Sequence, residues 1–110
     1  MMISESEDKR IFARFPVKLS MRFLDLLANR EVQAQALDMG AKGVGFVSST
    51  ELKPFTPLEL WLKVPDKSDP FYTRGEVVWS ENVGSNQYRT GVNLEKADLM
   101  GISRILRSRQ

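Results

Sequence analysis

Lys9-Arg10-Ile11-Phe12-Ala13-Arg14 places two arginines four positions apart, directly ahead of Phe15-Pro16. A guanidinium fork is planar and always charged. It grips phosphate, or the O6/N7 edge of guanine, through two parallel hydrogen bonds. Its flat face also stacks on a base. In an extended chain the two forks are spread over about 13 Å, at about 3.3 Å per residue. If the chain turns between them, both converge on one compact anion. Lys9 adds charge beside the first arginine. The plain alternative is a solvated basic linker, because charge runs usually face water.

A second stretch, Asp38-Met39-Gly40-Ala41-Lys42-Gly43, combines a carboxylate with two glycines. The carboxylate of Asp38 suits the paired N1 and N2 donors of a guanine edge. Gly40 and Gly43 would let a ligand approach the backbone closely. The spacing is neither that of a Walker A loop nor that of a dinucleotide fingerprint, and a strand rather than a helix follows. The competing reading is a tight connection between two strands. Trp79 is a third candidate, either packed in the core at the end of a strand or contributing a flat wall to a ligand site.

Composition closes other routes. Cysteine and histidine are both absent. That removes disulfides, the usual zinc, copper and haem ligands, and every Ser-His-Asp or Cys-His nucleophilic arrangement. No constellation of nucleophile, base and orienting group assembles from what remains, so the expectation is a protein that is not an enzyme. The net charge is +2. Glu5, Glu7 and Asp8 are acidic and no base lies among residues 1–8, so the rest of the chain is more basic than that total suggests. An anionic partner fits this balance. Nucleic acid is the weaker form of that idea, because the aromatic residues needed for base stacking are few and suited to a core. No apolar run approaches the roughly 20 residues that span a bilayer, and the N-terminus does not resemble a signal peptide.

The elements that must position these groups follow from alternation. Residues 1–8 read as a flexible acidic tail, and residues 9–110 as one domain. Val17, Leu19, Met21 and Phe23 face one way in a first strand. A turn or short helical excursion occupies Asp25 to Arg30. A second strand runs from about Val32 to Leu37, and a third carries Val44, Phe46 and Ser48. Pro54 and Pro57 mark a loop, and Leu58, Leu60, Leu62 and Val64 mark a fourth strand. Phe71 to Ser80 is a long strand with Val77, Val78 and Trp79 at its buried end. Glu81 to Asn86 is a hairpin turn, and Gln87 to Leu94 returns. Leu99, Ile102, Ile105 and Leu106 recur at helical spacing, with Asp98 near the start and Arg104, Arg107 and Arg109 near the end, as the helix dipole favours. The fold class is therefore all-β, an antiparallel sheet curled into a small barrel or sandwich with a C-terminal α-helix. A barrel closes the exposed edges.

Taken together, Arg10-Ile-Phe-Ala-Arg14 before the first strand and Asp38-Met-Gly-Ala-Lys-Gly43 between the second and third resemble the PilZ domain family, whose signatures run Arg-x-x-x-Arg and Asp/Asn-x-Ser-x-x-Gly. The Gly75-Glu-Val-Val-Trp79 and Tyr88-Arg-Thr-Gly91-Val hairpin and the closing helix also look like the family. The resemblance spans residues 9–107. It implies a six-stranded antiparallel barrel that binds the bacterial second messenger cyclic di-GMP, with no other cofactor. By similarity, Arg10 and Arg14 clasp the ligand's phosphates and guanine edges, Asp38 pairs with a guanine edge, and Gly43 shapes the turn. The family's serine is Gly40 in this chain. A neutral hydrogen bond contributes about 0.5–1.5 kcal/mol, so the missing hydroxyl weakens binding by roughly tenfold at most.

The resemblance further implies a cytoplasmic receiver, monomeric or dimeric, that relays the ligand to a protein partner controlling motility, exopolysaccharide export or surface behaviour. The alternative within the same fold is an adaptor that binds only proteins.

Overall fold

The computed structural model describes residues 14–65, 67–95 and 105. Within them are six strands: β1 (Phe15–Asp25), β2 (Arg30–Gly40), β3 (Gly43–Ser48), β4 (Pro57–Leu62), β5 (Phe71–Gly84) and β6 (Gln87–Leu94). Every pairing is antiparallel, and the sheet closes in the order β1-β2-β3-β6-β5-β4, with β4 returning to β1. Closure pairs both edges of every strand. Leu19, Met21, Phe23, Phe46, Leu58, Leu60, Leu62, Val77 and Val92 fill the interior. Phe23 and Phe46 meet there at 5.1 Å between ring centroids. Ile105 joins this core. The expected C-terminal helix otherwise lies outside the described residues, as do the acidic tail, Lys9 and Arg10.

The strands run further than alternation alone suggests. β2 continues through Asp38 to Gly40, so the β2–β3 connection is only Ala41-Lys42. β5 continues to Gly84, leaving Ser85-Asn86 as its turn, with Asn86 at φ 55°. Pro57 opens β4, where a missing N–H is tolerated. The excursion after β1 is a turn held by Asp25, whose Oδ1 accepts from the N–H of Leu27 at 2.9 Å and of Ala28 at 3.0 Å.

Three of the four register shifts set which way the side chains around the cleft point. They fall between Pro16 and Leu19 in β1, Ala36 and Asp38 in β2, and Val77 and Trp79 in β5. An extra residue in one strand reverses the in–out phase of everything beyond it. In β2, Ala36 faces inward opposite Phe46, yet Asp38 faces outward opposite Gly45. In β5, Val77 faces inward opposite Val92, whereas Trp79 lies opposite Gly91 and is 42 % exposed. This corrects the sequence expectation for the end of that strand. Val77 is buried, but Val78 and Trp79 are not, because the bulge turns the indole out of the core.

Candidate functional site

The same shifts assemble one row of residues across five strands on the outer wall: Pro16, Asp38, Gly45, Gly91 and Trp79, each paired with the next. Neighbouring strands lie about 4.8 Å apart, so Asp38 and Trp79 stand about 14 Å apart with two glycines between them. The glycines form a floor without side chains. A Cβ on Gly45 would sit 2.7 Å from Asp38 Oδ2, and one on Gly91 would sit 2.5 Å from Trp79 Cε2. A Cβ on Gly43 would sit 2.5 Å from Arg14 Nη1. Carboxylate, indole and guanidinium therefore each lie flat against backbone that only glycine leaves open.

Above this floor is an open cleft of ≈ 550 Å³ lined by Arg14, Pro16, Leu37, Asp38, Trp79 and Arg89. Asp38 holds both arginines. Its Oδ1 accepts from Arg14 Nε at 2.8 Å and also from Arg14 Nη2, and its Oδ2 accepts from Arg89 Nη2 at 3.2 Å. The side chains of Arg14 and Arg89 are 42 % and 45 % exposed, and that of Asp38 is 22 % exposed. Ion pairs this open to water contribute only about 0.2–1 kcal/mol each. They orient the forks at little cost to exchange. One positive charge is left in excess among these three groups, and the aromatic wall stands opposite. The arrangement is suited to an anion that carries flat rings.

The residues singled out from the sequence divide clearly. Arg14, Asp38 and Trp79 meet at the cleft. Gly43 lies beneath Arg14, and its φ is not positive, so it makes room for the guanidinium rather than bending the turn. Gly40 is buried at the end of β2, paired with Gly43, and does not line the cleft. Lys9 and Arg10 lie outside the described residues. Sequence reasoning missed Arg89, Gly45 and Gly91. A glycine inside a strand marks a bulge or a close approach, and the glycines in the Val44-Gly45-Phe46 and Thr90-Gly91-Val92 segments were the available signal.

The PilZ domain family model matches residues 8–108. The chain belongs to the PilZ domain family. Solved structures carry the same fold. This PilZ domain is similar to the PilZ domain of YcgR from Escherichia coli, solved with c-di-GMP. The TM-score is 0.64 at 12 % identity, over 87 % of this chain and 85 % of that one. It is also similar to the Bacillus subtilis inhibitor of motility, MotI/DgrA, with a TM-score of 0.68 at 12 % identity over 97 % of this chain. The PilZ domain spans about half, 49 %, of the MotI chain. No curated protein sequence matches it.

Proposed function

We propose that this PilZ domain is a non-enzymatic receptor for cyclic di-GMP, a doubly charged anion with two guanine rings, and that it relays the ligand to a protein partner. The observation that carries the reading is the convergence of Arg14, Asp38 and Trp79 on one cleft over a glycine floor. In this reading Arg14 takes a phosphate or the O6/N7 edge of a guanine. Asp38 accepts the N1 and N2 donors of a guanine, and Trp79 provides a flat wall for a base. Arg10 and Lys9 add charge beside Arg14, and ligand binding changes the surface offered to a partner. A second-messenger receptor of this kind acts in the cytoplasm.

Calorimetric titration of the purified chain with cyclic di-GMP tests this. Saturable heat is expected, with affinity reduced at least tenfold by Arg14→Ala, since charged hydrogen bonds contribute about 1.5–3 kcal/mol each. No heat at tens of micromolar protein, with the fold intact by circular dichroism, refutes it. The second reading, an adaptor that binds only proteins, draws on Gly40 in place of the family's serine and on an Asp38 already engaged by two arginines. That reading predicts no spectral response to the nucleotide and a stable protein partner.

A further inference from the structure

Arg89 stands on β6 directly between Val47 of β3 and Glu81 of β5. Glu81 is its natural ion-pair partner, since opposite charges facing each other across strands attract. The guanidinium goes elsewhere. It reaches across β3 to β2 and bonds Asp38 Oδ2 at 3.2 Å, which brings it into the cleft. Crossing two strand spacings covers about 10 Å. Gly45, the residue opposite Asp38, carries no side chain to block that path. Among the described residues the bond to Asp38 uses Nη2 alone, so Nη1 and Nε, with most of the five N–H donors of the fork, are offered to an incoming oxygen.

We infer that Arg89 is a third ligand-binding arginine of this site, held in readiness by Asp38 and handed to the ligand when a guanine takes the carboxylate. The inference rests on the cyclic di-GMP reading above. Its chemistry is a charge exchange. Asp38 neutralises one positive charge and aligns two forks. When guanine N1–H and N2–H donate to Oδ1 and Oδ2, Arg14 and Arg89 lose their shared carboxylate and both forks are handed to the ligand. A ligand with two phosphates supplies two counter-charges. A nucleotide whose base lacks the paired donors leaves Asp38 without a partner, which costs binding rather than merely failing to help it.

The test is calorimetry with cyclic di-GMP on the full chain and four variants: Arg89→Ala, Arg89→Lys, Asp38→Asn, and Arg89→Ala combined with Asp38→Asn. Arg89 is exposed, so the fold is expected to survive, and thermal melts check that. Arg89→Ala is expected to weaken binding roughly ten- to hundredfold. Arg89→Lys retains part of the affinity, because a point charge remains without the fork. In the Asp38→Asn background, Arg89→Ala still costs at least fivefold if the arginine touches the ligand. If it costs nothing there, Arg89 serves only to position Asp38, and the inference is overturned. It is likewise overturned if the parent chain binds and Arg89→Ala binds within threefold of it. No binding by the parent chain overturns the receptor reading itself, a separate outcome visible in the first titration.

Discussion

Gly45→Ala separates stability from recognition at this site. The new Cβ would lie 2.7 Å from Asp38 Oδ2, 3.0 Å from Oδ1 and 3.1 Å from Cγ. No carbon–oxygen pair tolerates the first distance, so the carboxylate must rotate away. It then loses the 2.8 Å bond from Arg14 Nε and the 3.2 Å bond from Arg89 Nη2. Both pairs are partly open to water and contribute about 0.2–1 kcal/mol each. Against that loss, alanine in a strand interior is favoured over glycine by about 0.5–1 kcal/mol. The two effects nearly cancel, so the melting temperature should move by no more than a few degrees, at roughly 4–8 °C per kcal/mol for a chain of this size. Ligand affinity has no such offset. A displaced Asp38 forfeits charged hydrogen bonds of about 1.5–3 kcal/mol, a tenfold to hundredfold loss. Paired measurements, thermal melts by circular dichroism and calorimetry with cyclic di-GMP, read both quantities. A variant that melts like its parent and binds like its parent refutes the placement of Asp38 over Gly45. A variant that fails to fold shows instead that Gly45 is needed by the barrel.

Three further outcomes follow from other parts of the barrel. The chain has two tryptophans; Trp79 lines the cleft, whereas Trp61 lies under the guanidinium of Arg22 at 4.1 Å. A fluorescence response to ligand should therefore vanish in Trp79→Phe and persist in Trp61→Phe, and the reverse pattern rejects the cleft as the site. Phe55 has φ 72°, is 77 % exposed and follows Pro54 in a turn closed by Thr56 N–H to Lys53 O at 3.2 Å. Left-handed backbone costs a side chain about 1–2 kcal/mol, and glycine's greater unfolded-state freedom returns about 0.5–1. Phe55→Gly is accordingly expected to raise stability by up to about 1.5 kcal/mol in denaturant titration, and a loss of stability contradicts the turn assignment. The Tyr72 phenol is raised above 10.0 by desolvation first and then by its 2.9 Å hydrogen bond to Glu59 Oε2. A group raised on folding stabilises most below its unfolded pKa and loses that contribution as pH climbs through the folded value. Ultraviolet titration should show one tyrosine ionising late, and Glu59→Gln should bring it partway back towards 10.0; no movement in that variant removes Glu59 as a cause.

The exchange proposed for Asp38 also explains why open ion pairs occupy the heart of the cleft. Tight, buried pairs would hold the forks against any ligand, since breaking one typically costs 3–5 kcal/mol. Pairs that water already screens fix direction without holding on. Gly43 serves the same end, since it leaves room for the guanidinium of Arg14 against the backbone.

Alternation of apolar and polar residues was enough to find the strands, because a half-buried strand must repeat every two residues. Arg14 and Asp38 were visible by type and spacing, since few side chains grip phosphate and guanine edges. What alternation does not carry is phase across a bulge. Read straight through, Ala34, Ala36 and Asp38 share one face, as do Val77 and Trp79. Folded, Asp38 and Trp79 both point outward, because β2 and β5 each carry an extra residue against their partners. An extra residue is defined by the strand opposite, which a single stretch of sequence does not contain. Arg89 was hidden for the same reason. Its partner is not the residue it faces but a carboxylate two strands away, reached over a glycine whose purpose appears only once the barrel has closed.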